Sequence, residues 1–201
     1  MNTAQLEWIS VSGRLLGSLF YYAPDNQNLA PIIDFFQQSD WQAEWQPTLS
    51  TDVVVKIEQG LLSEQLAFEY QHLFIGPNAL IAPPWGSVYL DPESVIFGHS
   101  LLKLREFLRQ HEIAFVIEQN EPEDHIGLML MLAAYLAENH PQLLNVFLAE
   151  HFLTWSTRYL QLMAAQQESA FYQGIALLTQ LTLTDWQQQL AIEVQKARLY
   201  R

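Results

Sequence analysis

The sequence has no cysteine, and it has only nine Lys plus Arg against 22 Asp plus Glu in 201 residues. Without cysteine there can be no structural disulfide, no thiolate metal site and no cysteine nucleophile. The shortage of cations leaves a formal net charge of −13 at neutral pH. Such a surface repels the phosphates of DNA and RNA, so nucleic acid is not an expected partner. A cationic peptide or protein suits it better, although an acidic surface also serves plain solubility. Long apolar runs are missing too. The longest spans residues 126–137 and is interrupted by Gly127, well short of the about 20 residues that cross a bilayer. The opening "MNTAQLEWIS" has no basic segment followed by an apolar one, so it does not read as a secretory signal. Together these absences predict a soluble, cytoplasmic protein.

Catalytic and nucleotide motifs are absent as well. There is no HExxH, no GxSxG, no Walker A and no GxGxxG. His72, His99, His111, His140 and His151 show no paired ligand spacing. These absences give little support to a metal site or an enzyme, and they leave a guanine nucleotide at an unusual site open.

What is present is a globular composition, half apolar and 12% aromatic, of a length that suits one domain. The pattern is helical almost throughout. Leu6, Ile9, Leu15, Leu16, Leu19 and Phe20 mark an apolar face across residues 4–22. A short helix is expected at "NLAPIIDFF", with Pro31 in its first turn. Residues 51–61 carry three consecutive valines, which are β-branched, but Asp52 and the surrounding pattern favour a helix. Ser63 is a candidate cap for a helix running to about residue 75. Further helices are expected over 100–111, from Pro122 to Asn139, over 142–165 as two helices or one bent one, and over 169–181. "TDWQ" at 184–187 reads as a capping box before a last helix. The predicted fold class is all-α: a single domain, 1–201, of roughly ten helices of ordinary length. Two lobes would meet near 112–121, where "IAFVIEQN" reads as an extended connector.

Two stretches stand out from this background. "GPNALIAPPWGSVYLDP", residues 76–92, holds two glycines and four prolines, so it predicts an ordered, aromatic loop in place of a regular helix. "EPEDHIG", residues 121–127, gathers three carboxylates and an imidazole. As a metal site it is poor, because zinc takes three or four protein ligands. Adjacency of Asp124 and His125 does not by itself make a base and its orienter. Acids and a proline also fit the first turn of a helix, where they meet the positive end of the dipole. Yet Glu118, Glu121, Glu123 and Asp124 crowd one entrance, more than a cap requires, and would welcome a cation. These acids would also favour the protonated form of His125. Both the helix start and the cation site stand at this point.

Taken together, "EYQHLFIGP" (69–77), "APPWGSVYLD" (82–91), "ESVIFG" (93–98) and "EPEDHIG" resemble the TorD/DmsD family. These are cytoplasmic chaperones of molybdoenzymes that bind twin-arginine leader peptides. "GRLLGSLFYYAP" (13–24) and "FLTWSTRYL" (152–160) extend the likeness through most of the chain, and "PPWGSVYLD" followed by "ESVIFG" resembles the branch serving dimethyl sulfoxide reductase. The resemblance implies an all-helical fold, no enzymatic reaction and no cofactor. The implied partner is the twin-arginine signal peptide of a molybdoenzyme catalytic subunit, with the export machinery at the inner membrane as a further one. It implies a leader-binding surface built from Leu73, Phe74, Trp85, Tyr89, Gly98, Asp124 and His125, with Tyr22 nearby, and with Asp124 and His125 facing one groove. Asn78 stands where the resemblance leads one to expect an aromatic residue. Relatives exchange helices between chains, and 112–121 is where such an exchange would be sought.

The charge pattern fits that implication. A twin-arginine leader is a basic motif followed by an apolar segment, so its basic part suits Glu118, Glu121, Glu123 and Asp124. Arginine–carboxylate pairs at an exposed rim contribute about 0.2–1 kcal/mol each, and a buried aromatic anchor about 2 kcal/mol or more. The apolar contacts are therefore expected to supply most affinity and the acids steering and selection. The competing readings are a small hydrolase using Asp124 and His125, and a general acidic interaction module.

Overall fold

Residues 1–114 and 121–201 are described by a computed structural model of the protein. The elements are helices, together with one isolated antiparallel bridge. α1 (Thr3–Tyr21) opens on a capping box between Asn2 and Gln5 and buries Trp8, Ile9, Leu16, Leu19 and Phe20. α2 (Ala30–Phe36) carries its proline in the first turn, as expected. The three valines lie within α3 (Thr51–Leu61), so an amphipathic face outweighs their β preference. α4 (Leu66–Tyr70) continues into a π turn, Gln71–Ile75, which ends at Gly76 with φ +105°. A single-turn α5 (Gly86–Leu90) and α6 (His99–Gln110) follow. α7 (Ile126–Asn139) is apolar on all sides and is accordingly the central, enclosed helix. α8 (Pro141–Phe147), a π turn at Leu148–Phe152 and α9 (Leu153–Ala165) form a bent rod. α10 (Ala170–Gln189) is the longest helix, and residues 190–201 run on without regular structure.

α1 lies along α7, while α10 packs between α3 and α9. The α1–α7 seam is made of small residues. A side-chain carbon on Gly17 would fall 2.6 Å from the carbonyl oxygen of Gly127, and one on Gly127 equally close to that of Gly17. Gly13 meets the carbonyl of Leu130 in the same way, at 2.8 Å. Backbone thus packs on backbone, and this brings the C-terminus of α1 up to the start of α7. One connected core runs from Trp8 to Ile192 and includes the fully buried Trp41, Trp155 and Trp186.

Several sequence expectations need correction. "TDWQ" caps nothing, because α10 passes through it without a break. Thr179, Thr182 and Thr184 each return a hydroxyl hydrogen bond to the carbonyl four residues earlier, so they bond within the helix and do not end it. There is accordingly no separate last helix. Ser63 accepts from the amide of Gln65 in a turn, and its helix begins later, at Leu66. The loop at 76–92 contains α5. Most of the expected extended connector, the lobe junction and Glu118 fall on 115–120, outside the described residues.

The seam carries a direct test. Gly17→Ala forces a methyl group against a carbonyl that belongs to another helix backbone and cannot step aside. Overpacking of this kind costs about 1–3 kcal/mol. Denaturant melts should show at least that loss for Gly17→Ala. An unchanged midpoint would mean that the two helices separate freely.

Candidate functional site

The site is built where two distant stretches are sewn together. Pro83 and Pro84 have no amide hydrogen to offer a helix, and both are buried. The carbonyl of Pro84 accepts from the amide of Ile126 at 2.7 Å, and the amide of Gly86 donates to the carbonyl of Asp124 at 3.0 Å. The result is the antiparallel bridge Trp85–His125. A third bond, from the amide of Ser87 to Asp124 Oδ2 at 2.6 Å, lets the carboxylate hold the first turn of α5. Gly86 is required here, since a side-chain carbon would lie 2.7 Å from the indole nitrogen of Trp155.

Asp124 and His125 have different surroundings, contrary to the expectation of a shared groove: Asp124 lines a cleft whose wall does not include His125. His125 turns with its bridge partner Trp85 towards the end of α1, its ring 6.3 Å from that of Trp85 and 5.7 Å from that of Tyr21. The cleft, which Asp124 lines together with Gly86, has a volume of 840 Å³. Thr154 and Trp155 of α9, Lys103 of α6 and Arg198 of the C-terminal segment complete that cleft. The segment is held in place by bonds from Gln195 N to Ala149 O and from Tyr200 N to Tyr89 O, at 3.0 and 2.9 Å.

The electrostatics also differ from expectation. His125 is the N-cap of α7, and its Nδ1 accepts from the amide of Gly127 at 3.1 Å. An accepting Nδ1 carries no proton, so the ring is neutral. Burial pushes its pKa down to about 3, and desolvation outweighs the neighbouring acids that were expected to protonate it. Burial raises the pKa of Asp124, and the amide of Ser87 pulls it partly back. Asp124 Oδ1 is buried and, among the described residues, has no hydrogen-bond partner. The first turn of α7 contains no acid, because the helix begins at Ile126 and not at Pro122. "EPED" is instead a tight turn in which Pro122 O accepts from His125 N at 3.0 Å. The dipole reading of these acids is thereby removed.

Two of the acids stay at the surface, each with a partner. Glu121 accepts from the indole N–H of Trp85. Glu123 takes a bidentate guanidinium from Arg105 of α6, with both oxygens 2.9 Å from Nε. Tyr22 lies edge-on to Tyr21 with centroids 5.0 Å apart, and the Tyr70 hydroxyl donates to the carbonyl of Tyr21 at 2.8 Å. Tyr22, Tyr21, His125, Trp85 and Glu121 thus form one connected group, with Tyr70 bonded to its Tyr21 carbonyl, while Glu123 pairs separately with Arg105 of α6.

The remaining predicted residues sit elsewhere. Leu73 and Phe74 are buried on the π turn, with Phe74 stacked on Tyr70 at 4.8 Å and against Phe20 and Tyr172. Tyr89 is fully buried and stacked on Trp155 at 5.6 Å. Gly98 makes room for Asp91, whose carboxylate caps α6 at the amides of His99 and Ser100. Asn78 is exposed beside His72. Sequence reading missed Tyr21, Tyr70 and Arg105. The repeated tyrosine of "FYYAP" was the available signal for Tyr21. Arg105 gave none, since 18 residues separate it from Glu123. Among the described residues no cluster of His, Cys, Asp or Glu could hold a metal ion, and no helix is long and apolar enough to cross a membrane.

Residues 37–161 match a protein family described as nitrate reductase delta subunit. The chain is 55% identical over 200 residues, 98% of each protein, to the "Probable Tat proofreading chaperone DmsD" of Haemophilus influenzae. It is 44% identical, again over 98% of each, to the "Tat proofreading chaperone DmsD" of Salmonella paratyphi A. Its fold is similar to that of a crystal structure of a candidate redox enzyme maturation protein from Archaeoglobus fulgidus. That likeness has a TM-score of 0.55 at 22% identity and covers 83% of this chain and 91% of the other.

The neutral cap makes a pH prediction. With a folded pKa of about 3 against about 6.5 when unfolded, His125 takes up its proton first in the unfolded chain. The stability it contributes is complete above pH ~6.5 and is lost as pH falls towards 3, by up to about 1.4 kcal/mol per unit. His125→Asn keeps an oxygen acceptor at the N-cap and removes the titration. Urea melts at pH 7.5 and 5 should show the stability difference moving in favour of His125→Asn at the lower pH. The opposing shift of Asp124 is common to both proteins and cancels. Identical pH slopes would mean that the ring charges freely in the folded protein.

Proposed function

This chain belongs to the nitrate reductase delta subunit family, among its TorD/DmsD members, and on that premise we propose that it is a proofreading chaperone. It binds the twin-arginine signal peptide of a molybdoenzyme precursor, of the dimethyl sulfoxide reductase kind, and holds it until folding and cofactor loading are complete. The relatives named above are called chaperones, and the reading needs binding without turnover. It acts in the cytoplasm and hands its client to the export machinery at the inner membrane face.

The observation that carries this reading is the pair of carboxylates on the 121–125 turn, Glu121 bonded to the Trp85 indole and Glu123 already holding a guanidinium. Arg105 meets Glu123 in the planar, two-pronged geometry that an arginine makes and a lysine cannot. A leader arginine offered to Glu123 has to displace it. Both partners are partly exposed, 43% and 19% at the side chain, so the pair contributes only about 0.2–1 kcal/mol and gives way readily. Glu121 keeps its full negative charge, since its partner is a neutral indole. Asp124 lies behind the bridge and holds α5 and Trp85 in position. The hydrolase reading has little to draw on, because Asp124 Oδ2 is engaged by the amide of Ser87 and the Nδ1 of His125 by the cap.

Calorimetry with a synthetic twin-arginine leader tests the proposal. The parent should bind that leader and bind its twin-glutamine counterpart far less. Arg105→Gln, which vacates Glu123, should tighten the twin-arginine leader by about 0.2–1 kcal/mol. Glu123→Gln should weaken it by about the same amount. Equal affinity of the parent for both leaders would remove the chaperone reading and leave a general acidic module.

A further inference from the structure

We infer that the turn Val95–Ile96–Phe97, with Leu102 of α6, is the docking surface for the apolar segment of the leader. This rests on the chaperone reading and adds to it the place of the leader's second half. Of the residues expected to take that role, Leu73 and Phe74 are buried in the core, and in the proline loop Trp85 is only partly exposed and Tyr89 is buried. The turn is open by contrast. Val95, Ile96 and Phe97 are consecutive and all exposed, Phe97 to 61%, and Leu102 is exposed to 55%.

The turn is held in an unfavourable shape. Ser94 and Phe97 both have positive φ, +49° and +68°, in the left-handed region where a side chain other than glycine is strained. Asp91 fixes both ends of the turn. Its carbonyl accepts from Ser94 N at 2.9 Å, while its carboxylate caps α6 through the amides of His99 and Ser100. A strained backbone that aims a large aromatic ring into solvent gains nothing for folding, and such patches mark binding surfaces.

The occupant follows from continuity and charge. The Arg105 guanidinium lies 6.0 Å from the centre of the Phe97 ring and at the same time grips Glu123. Leu102 and Arg105 are three residues apart on α6 and share a face. The apolar turn therefore adjoins Glu123, which Glu121 precedes by two residues in the chain. A ligand with a basic end and an apolar end matches this order, one end on the carboxylates and the other across Phe97 and Leu102. The chain's own net charge of −13 makes a second copy a poor occupant.

The test uses the full chain carrying Phe97→Gly and Leu102→Gln together. Glycine adopts positive φ without strain and Leu102 is exposed, so the fold survives, which melts verify. Two leaders are compared by calorimetry, one intact and one with its apolar segment replaced by serine and glycine. The double variant should bind the intact leader about tenfold more weakly than the parent. It should bind the polar-substituted leader within about twofold of the parent. Unchanged affinity for the intact leader, with the parent still binding it, overturns the docking surface and leaves the chaperone reading in place. So does self-association of the parent that the variant loses while leader affinity holds. Failure of the parent to bind the intact leader overturns the reading itself.

Discussion

Two main-chain hydrogen bonds across the Trp85–His125 bridge, and a third from Ser87 to the Asp124 carboxylate, tie residues 84–87 to residues 124–126. Everything at the site depends on this stitch. It joins a proline-rich loop, which cannot hold itself by helical bonds, to the start of the most enclosed helix of the protein. It fixes Trp85 beside Glu121, and it leaves Asp124 lining the cleft and His125 packed against Tyr21 and Trp85. The stitch in turn rests on the glycine seam between α1 and α7, which brings Tyr21 up to His125. The surface chemistry is thereby referred to the backbone packing of the core.

The two titratable side chains at the bridge do structural work in unlike ways. His125 is neutral because its ring nitrogen must accept a hydrogen bond from an amide that α7 cannot satisfy internally. Asp124 supplies an acceptor to the equally needy first amides of α5. Each removes an orphan donor that would otherwise cost about 1–3 kcal/mol when buried. On the proposed reading, the acids that meet solvent, Glu121 and Glu123, are the ones left for recognition. One short motif thus divides into an inner pair that shapes the site and an outer pair that presents charge.

Much of the fold could be read from the sequence, because helices announce themselves by a period. The face of α1, the start of α10 at Ser169 and the interruption at residues 76–92 all follow from spacing and from proline chemistry. The motifs that form the site were visible as motifs. Their division was not, since "DH" looks the same whether it lies in a helix or in a bridge. Only the turn at 122–125 and the bridge from His125 to Trp85, 40 residues away, give the two side chains different surroundings. The burial of Leu73 and Phe74 was hidden for a similar reason. An apolar pair next to a proline loop reads equally as surface or core until Phe20 and Tyr172 are seen to cover Phe74. "TDWQ" misled because threonine caps a helix only when its hydroxyl is not already spent on the carbonyl four residues back.

The charge arrangement bears on how a site of this kind could select its ligand. Among the described residues, four of the nine Lys and Arg residues are paired with carboxylates, and Arg105 is the one whose partner lies in the 121–125 turn. Replacing that arginine by another from a ligand exchanges like for like, so the Coulomb term nearly cancels. Glu121 differs, because an indole N–H satisfies its hydrogen bonding without compensating its charge, and a second cation is attracted there without competition. A peptide with one arginine gains from one carboxylate or the other. A peptide with two can meet both, but only if their spacing matches that of Glu121 and Glu123 on one turn. Charge then sets register and discrimination, and net affinity has to come from apolar contact that no internal group already satisfies. On the proposed reading, this is why an exposed, strained aromatic turn beside the acids is more informative than the acids themselves.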